Sequence, residues 1–460
     1  MLHDPVVCVD VGSTWTKAAL VDAASGELLG TAQHRTTLPR PRSGAGSSDV
    51  LEGLDACVAR LSVEHPAARD AEVLACSSAG GGLRVGVVGN EELVSAEAGR
   101  RVALSSGGRV VAVVAGGAST AGPDLAPLVA GEPDVVLLVG GTDGGDSEVL
   151  LRCARVLAGR PWPVVVAGNT AATAEVAEVL GAAGTACIPT ANVLPRIGVL
   201  EPGPARRAVR EVFLSHVIGG RDLSPGPRFA ALVRGATPDV VLTAVELLAE
   251  HPARARPGRS DTEDRPGVVV VDVGGATTDV YSVVPLHEPE GTGSAAPLSR
   301  EVVATTPANR TVEGDLGLRW SAAGTVAAAT ATGDLPAAGA AEVRAAAERL
   351  LGDPARVPVS AEDRDLDARL TRWAAGEALR RHARSGVDLR TVGLLVGSGG
   401  ALRHAEDPGA LLGSVLTDDR SWVLPQQPRV AVDTDYVLAA AGLLAEDHPA
   451  AAYGLLERFC

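Results

Sequence analysis

The sequence has no excess of basic residues, no long apolar run and few aromatic residues. Its 460 residues include 41 Lys and Arg against 56 Asp and Glu, which gives a formal net charge of −15 at pH 7. Nucleic-acid binding requires clustered basic residues, and the arginines here are scattered among acidic ones. The charge therefore argues against DNA or RNA as a partner.

Membrane and secretory segments are also missing from the sequence. No run approaches the roughly 18 apolar residues of a membrane-spanning helix. The N-terminal stretch MLHDPVVCVD lacks a basic region followed by an apolar one, which a secretory signal would have. We therefore expect a cytoplasmic protein with no membrane partner.

Cysteine and aromatic residues are sparse. The six cysteines form no C-x-x-C pair and have no histidine at metal-binding spacing. We therefore expect free, buried thiols in a reducing compartment rather than disulfides or a metal site. Aromatic residues make up 2% of the chain and there is one methionine. This bias is typical of a high-GC genome and carries no information about activity.

Two stretches of the sequence share one pattern, VCVDVGSTWTKAALVD and VVVDVGGATTDVYSVV. Each has an apolar strand that ends in Asp, a glycine turn with Thr residues, and a second apolar strand. Their aspartates, Asp10 and Asp272, are 262 residues apart (272 − 10). One such turn alone also fits an ordinary β-hairpin. A repeat at this distance predicts two similar half-domains that face each other.

A cleft between two such hairpins has the groups that a nucleoside triphosphate needs. These are backbone N–H donors at a glycine turn, hydroxyl donors, a cation, and carboxylates that hold Mg²⁺ and its waters. Asp10 and Asp272 would point into the cleft as ligands of Mg²⁺-bound water or would orient an attacking water. The candidate phosphate-binding residues are Gly12, Ser13, Thr14, Thr16 and Lys17 on the first hairpin and Gly274, Gly275, Thr277 and Thr278 on the second.

A third glycine turn, within TVGLLVGSGGALRHA, leads from an apolar strand into a helix. Glycines at such a turn allow a flat group such as adenine or ribose to lie against the backbone. By itself the turn fits a structural role equally well. Third in order after two phosphate hairpins, it predicts a nucleoside site formed by Gly397, Ser398, Gly399 and Gly400.

The middle of the chain has a different pattern. Between residues 108 and 190, apolar runs such as DVVLLVGG and PVVVAGN alternate with helical segments. This predicts a parallel, doubly wound, Rossmann-like unit inserted into the chain. We interpret the glycines of its loops GGTDGGD and GNTAAT as structural. The unit lacks the G-x-G-x-x-G turn of a dinucleotide site and the Asp-x-His of a base-off cobalamin site.

In this order, the three turns resemble the phosphate 1, phosphate 2 and adenosine motifs of the superfamily of actin, hexokinase, acetate kinase and the heat-shock chaperone ATPases. Within it, the chain resembles the MutL-type glutamate mutase accessory proteins, which are unrelated to the mismatch-repair protein of that name. The stretches that carry this resemblance are CSSAGGGLRVGVVG, LLVGGTDGG, NVLPRIGVLEPGPARRAVREVFL and TVEGDLGLRWSA.

The resemblance implies an α/β actin-like ATPase fold with two duplicated half-domains around a nucleotide cleft, plus the inserted unit. The predicted segments are a first half-domain (1–107), the inserted Rossmann-like unit (108–190), a helical continuation of the first half (191–251), a linker loop (252–266), a second half-domain (267–432) and C-terminal helices that pack on the first half (433–460).

The resemblance also implies a function. The protein would be an ATP-hydrolysing, chaperone-like reactivating factor that releases damaged cobalamin from an adenosylcobalamin-dependent mutase, with ATP and Mg²⁺ as cofactors and mutase subunits as partners. Two alternatives stay open. A small-molecule kinase of the same fold would use Asp272 as its base, and a scaffold that does not hydrolyse ATP would act by population shift.

Three further acidic residues each have two interpretations. Asp279, on the outgoing strand of the second hairpin, is either linked to the metal or structural. Glu313 and Asp315 flank Gly314 in TVEGDLG and either contact nucleotide or metal, or begin a helix as capping residues.

Overall fold

The computed structural model describes residues 4–38, 49–79, 81–117, 122–219, 223–254, 265–285, 307–354, 356–417 and 423–460. The strands are β1 Pro5–Val11, β2 Trp15–Asp22, β3 Leu28–Arg35, β4 Glu72–Ser77, β5 Arg84–Gly89, β6 Arg109–Ala115, β7 Val135–Leu138, β8 Val164–Val166, β9 Cys187–Pro189, β10 Val233–Ala236, β11 Gly267–Val273, β12 Thr278–Val283, β13 Ala308–Glu313, β14 Val392–Ser398 and β15 Arg429–Val432.

The α-helices connect these strands and cover the sheets. They are α1 Val50–Glu64, α2 Glu97–Ser105, α3 Ala126–Gly131, α4 Glu148–Leu157, α5 Thr173–Ala182, α6 Gly203–Val212, α7 Arg228–Leu232, α8 Thr237–Glu250, α9 Ala322–Thr332, α10 Ala337–Leu351, α11 Ala361–Arg384, α12 Gly400–Arg403, α13 Pro408–Gly413, α14 Val437–Leu444 and α15 Pro449–Leu456. Most of the predicted linker, residues 255–264, lies outside the described residues.

Two five-stranded sheets repeat one strand order, β3-β2-β1-β4-β10 and β13-β12-β11-β14-β15. In each sheet the first three strands form an antiparallel meander, and the other two strands are added in parallel. Strand β1 thus corresponds to β11, and β2 to β12. The sequence repeat is therefore a structural repeat, and the predicted α/β fold with two duplicated half-domains is confirmed.

A third sheet, β6-β5-β7-β8-β9, is parallel throughout. Val87 and Leu137 share a core with helices α2 and α6, whereas Val88 and Leu138 share another with α3, α4 and α5. Burial on both faces explains why these strands are apolar throughout. The sheet includes β5, which lies before residue 108, the predicted start of the inserted unit. The short apolar sequence that forms β5 does not itself indicate whether the strand belongs to the sheet of the first half-domain or to the third sheet.

Strand β1 separates two cores of the first half-domain. Val9 packs toward α1, while Cys8 packs with α8, α14 and Val270 of the second half-domain. Helices α8 and α14 cross closely at Gly442. A Cβ on that residue would lie 2.0 Å from the Val240 carbonyl oxygen. A larger residue at Gly442 would separate these helices, so glycine is required where the half-domains meet.

The burial of four of the six cysteines agrees with the sequence analysis. All six cysteines are free, and four of them are buried. Burial raises the pKa of the Cys57 and Cys153 thiols to about 11, so both are protonated at neutral pH. No helix within the described ranges combines the length and the apolar character that crossing a membrane requires.

Candidate functional site

The first candidate hairpin joins β1 to β2. Asp10 is paired with Lys17 across the two strands, and the Gly12 N–H closes the turn by donating to the Trp15 carbonyl at 3.1 Å. A Cβ on Gly12 would lie 2.9 Å from that oxygen. The turn therefore requires glycine, as the sequence pattern predicts.

The second candidate hairpin, between β11 and β12, has the same geometry. Asp272 is paired with Asp279, and the Gly274 N–H donates to the Thr277 carbonyl at 2.9 Å. A Cβ on Gly274 would lie 3.0 Å from that oxygen. Each half-domain thus has a carboxylate followed two residues later by a glycine that closes the turn.

The third candidate turn follows β14. Gly399 has a φ of 112°, and a Cβ there would lie 2.2 Å from the Val273 carbonyl oxygen. The turn is therefore packed against the end of β11. Ser398 is paired with Asp272 in the sheet and is buried, and Gly397 contacts core leucines. These two residues hold the turn in place, and the next two glycines form its surface.

The three turns meet at one cleft of about 1930 Å³. The predicted residues that line it are Asp10, Gly12, Ser13, Thr14, Lys17, Asp272, Gly274, Gly275, Thr277, Gly399 and Gly400. The cleft continues to Arg100 and Arg109 beside the third sheet. Because small-molecule sites usually measure about 300–1,000 Å³, a nucleotide would fill only part of it.

Two predicted hydroxyl groups do not reach the cleft. Thr16 and Thr278 occupy equivalent positions and are both fully buried. Thr16 Oγ1 lies 3.1 Å from Thr36 Oγ1, and Thr278 Oγ1 donates to the Leu316 carbonyl at 2.9 Å. Successive strand residues point to opposite faces, so Thr16 points away from the face that carries its neighbour. Both side chains stabilise their hairpins instead of contacting the cleft.

Asp10 is fixed by residues from three other elements. The Thr237 hydroxyl, at the start of α8, donates to Asp10 Oδ1 at 2.7 Å. The Cys76 thiol on β4 lies 3.7 Å from the same oxygen. On β2, the Lys17 ammonium lies 3.9 Å from Oδ2. The carboxylate is therefore held at the cleft with its orientation set.

The charges in the cleft influence one another. The pKa of Asp272 is raised to about 6; removal from water is the largest cause, Asp279 and Asp10 add to it, and Lys17 opposes it. Burial alone would lower the pKa of Lys17, but the Tyr436 ring hydroxyl and the nearby carboxylates outweigh burial and raise that pKa. The Lys17 ammonium thus lies among several carboxylates.

Two residues of this site, Thr237 and Tyr436, were missed in the sequence analysis, and one property of the predicted residue Lys17 was not used. Lys17 is the only lysine among the 41 Lys and Arg residues, a signal that a residue count would have found. Thr237 had no signal in the sequence, where it lies within the segment predicted as a helical continuation of the first half (191–251). Tyr436, whose ring lies 3.7 Å from the Lys17 ammonium, is distant from every glycine motif in sequence.

Asp279, Glu313 and Asp315, for which the sequence allowed either a ligand contact or a structural role, all pair with arginines. Asp279 accepts hydrogen bonds from Arg310 Nε and Nη2 at 3.0 and 2.6 Å, so its structural interpretation is the one supported. Arg381 donates to Glu313 and to Asp315, each at 2.7 Å. Helix α9 begins further along the chain, so neither of these two carboxylates caps it.

The loops of the third sheet are joined to one another by hydrogen bonds. Asn169 Oδ1 accepts from the Gly144 N–H at 3.1 Å, and Asp143 Oδ1 accepts from the Thr170 N–H at 3.0 Å. Asn192 Nδ2 also donates to Asp143 Oδ1, at 2.9 Å. These contacts agree with the structural interpretation of the glycines in the two loops.

The donor groups suit a metal that binds together with a nucleotide. Across the described residues, no group of three or more His, Cys, Asp or Glu side chains could hold a metal ion by itself. The cleft instead has Asp10 and Asp272. Mg²⁺ commonly binds through one or two carboxylates together with phosphate oxygens and waters. These two carboxylates therefore fit Mg²⁺ only as part of a metal–nucleotide complex.

Several solved structures can be superposed on most of the chain. A nucleotide-free acetone carboxylase is 14% identical, with a TM-score of 0.40 over 96% of this chain and 70% of that one. A glucokinase of the ROK family from Streptomyces griseus, in complex with glucose and AMPPNP, is 14% identical, with a TM-score of 0.32 over 98% of each chain. These similarities are too weak to support an argument about activity.

The sequence relatives are more specific. The protein MutL of Clostridium tetanomorphum is 32% identical over 484 aligned positions, which cover 99% of each chain. A family model described as MutL protein matches residues 6–460. Since both matches span nearly the whole length, the chain belongs to the MutL protein family.

Proposed function

We propose that the protein binds and hydrolyses ATP and acts as a reactivating factor for an adenosylcobalamin-dependent mutase such as glutamate mutase. The observation that carries the ATP proposal is the pair of equivalent hairpins that bring Asp10 and Asp272 to one cleft beside Lys17. Membership of the MutL family and the resemblance to glutamate mutase accessory proteins support the choice of partner.

Each part of the cleft has a role in this proposal. The glycine turns at Gly12 and Gly274 bring backbone N–H groups close to the phosphates, and Lys17 supplies a positive charge. The turn at Gly399 lies against the nucleoside. Asp10 and Asp272 hold the waters of Mg²⁺, and that ion, when bound, neutralises phosphate charge.

Asp272 is also the proposed general base. A water attacks the γ-phosphorus, the bond to the bridging oxygen breaks, ADP leaves, and the Asp272 carboxylate takes the proton from the water. A pKa of about 6 suits this role, because the group is then largely ionised at neutral pH yet basic enough to accept a proton.

We further propose a cytoplasmic location, a division into half-domains near the predicted boundaries, and contact of the third sheet with the mutase. The kinase and scaffold alternatives use the same cleft and differ in outcome. A kinase transfers the phosphoryl group to a small molecule, and a scaffold binds ATP without turnover.

The test measures phosphate release from ATP with and without an inactivated cobalamin mutase, together with cobalamin release in the same sample. ATP-dependent cobalamin release that is lost in Asp10→Ala, and kept in the control Asp55→Ala at an exposed carboxylate outside the cleft, supports the proposal. Retained ATP binding without turnover in Asp10→Ala shows that hydrolysis is the affected step. Turnover with no effect on the mutase contradicts the proposal and favours a search for phosphoryl acceptors.

A further inference from the structure

Tyr436 has an unusual backbone conformation at the edge of the cleft. Its φ is 57°, and only it and Glu132 have a positive φ among the non-glycine residues that the structure describes. This left-handed conformation is unfavourable for a bulky residue, and such strain persists only where surrounding contacts enforce it. Tyr436 immediately precedes helix α14.

Contacts on both sides of Tyr436 enforce this conformation. The Asp433 carboxylate accepts the N–H groups of Val437 and Leu438 at 2.9 and 3.1 Å. The Asp433 N–H donates to the Gly397 carbonyl at 2.8 Å, which ties the segment to β14 and its glycine turn. The backbone at Tyr436 is therefore fixed relative to the candidate nucleoside site.

Two cations contact the ring of Tyr436. The Lys17 ammonium lies 3.7 Å from the ring centroid, and the Arg403 guanidinium carbon lies 4.6 Å from it. Lys17 belongs to the first phosphate hairpin, and Arg403 ends the short helix after the third glycine turn. The ring thus connects the phosphate and nucleoside parts of the cleft, and such contacts attract cations to the π face.

Lys17 contacts the Tyr436 ring and does not form a close ion pair with Asp10. At 3.9 Å from Asp10, the ammonium is beyond hydrogen-bond distance. Tyr436 and Lys17 also line a second cavity, of about 240 Å³, that adjoins the cleft. Without the ring, the flexible lysine side chain could enter either that cavity or a direct ion pair with Asp10.

We propose that Tyr436 is a positioning residue that holds the Lys17 ammonium in place for the phosphates of the nucleotide. The inference rests on the proposed function, because it assumes that ATP occupies the cleft. A lysine that is already in place loses less conformational freedom when phosphates bind. The ring also leaves the Asp10 carboxylate available for Mg²⁺.

The test compares the binding of ATP and adenosine by calorimetry. Tyr436→Leu should weaken ATP binding about 10-fold, which is within the range for a partly desolvated cation–π contact, and leave adenosine binding unchanged. Tyr436→Phe keeps the ring and should bind ATP as the wild type does. Tyr436→Asn tolerates a positive φ, so it should keep or raise the melting temperature while it loses ATP affinity. Loss of affinity and of melting temperature together would indicate a merely structural role.

A second readout uses the fact that Lys17 is the only lysine. Reaction with trinitrobenzenesulfonate, followed by mass spectrometry of the peptide that contains Lys17, reports this one ε-amine. Tyr436→Leu should react faster than the wild type, and ATP should protect both proteins. Arg369→Gln, which breaks a cation–π contact of 5.1 Å with Trp373 outside the cleft, is the matched control and should change neither readout.

The outcomes separate the inference from the function on which it rests. A wild-type protein that binds no ATP contradicts the proposed function. ATP binding that is normal in Tyr436→Leu, or an equal loss for ATP and adenosine, contradicts the positioning role and leaves the proposed function intact.

Discussion

The guanidinium of Arg310 contacts the carboxylate of Asp279 at 2.6 Å and also donates to the Leu104 carbonyl at 2.9 Å and the Gly108 carbonyl at 3.3 Å. Asp279 is on the second candidate hairpin, while Leu104 and Gly108 lie at the C-terminal end of α2 beside the third sheet. A cation at a helix C-terminus is favourable. One buried side chain therefore joins a candidate phosphate-binding hairpin to the third sheet.

We expect Arg310→Met to lower the free energy of unfolding by about 3–5 kcal/mol, because Asp279 would be left as an unpaired, largely buried charge. Urea denaturation followed by circular dichroism measures this change. The double variant Arg310→Met with Asp279→Asn should recover part of the loss. Arg228→Met, at an exposed pair with Asp55, should cost at most about 1 kcal/mol. Equal losses in Arg310→Met and Arg228→Met would contradict the expectation.

Replacing Thr237 by Val should slow ATP hydrolysis by about 10- to 100-fold, the usual effect of removing a group that orients a metal ligand. The Thr237 hydroxyl donates to Asp10, and Val has nearly the same shape without the donor. Phosphate release at saturating ATP gives the rate. Thr243→Val is the control, since that hydroxyl donates within α8, to the Asp239 carbonyl at 3.1 Å, and an equal loss there would argue against a specific role for Thr237.

Protonation of Asp272 should make stability and nucleotide binding depend on pH in opposite senses. Its folded pKa is raised to about 6 from about 3.9 in the unfolded chain. Protonation of Asp272 favours the folded state. This contribution to the free energy of unfolding is complete below about pH 4 and is lost as the pH rises through about 6. In the proposed function, binding of Mg·ATP needs the carboxylate, so we expect this binding to strengthen over the same pH interval. Calorimetric titrations at several pH values should show this trend in the wild type and a flat profile in Asp272→Asn.

His382 should contribute stability that disappears in mild acid. Its ring is buried between Ser282 and Thr311, whose hydroxyl oxygens each lie 2.8 Å from a ring nitrogen. Burial lowers the pKa of His382 to about 3, so below about pH 6.5 only the unfolded chain gains this proton.

Between pH 6.5 and pH 5 the wild type should therefore lose about 2 kcal/mol more unfolding free energy than His382→Gln. Urea denaturation at the two pH values measures the difference. The comparison variant is His34→Gln, at an exposed histidine. A pH dependence in His382→Gln equal to that of the wild type would show that the ring is not held neutral.

The sequence was informative where function depends on local backbone. Gly12 and Gly274 were predicted from the motif, and each closes its turn by the same hydrogen bond. Thr16 and Thr278 were assigned to the cleft because the motif lists residue types without faces. Side chains alternate between the two faces of a strand, and the register of β2 and β12 shows that Thr16 and Thr278 both point toward the core.

The sequence by itself determined the duplicated half-domains, the carboxylates at the strand ends and the glycine turns, because these are properties of short segments that repeat along the chain. Only the tertiary structure decided that Thr237 holds Asp10, that Arg310 pairs with Asp279 and that Tyr436 lies against Lys17. These partners are separated by 227, 31 and 419 residues (237 − 10, 310 − 279 and 436 − 17). Contacts across such distances depend on how sheets and helices pack, which no local pattern specifies.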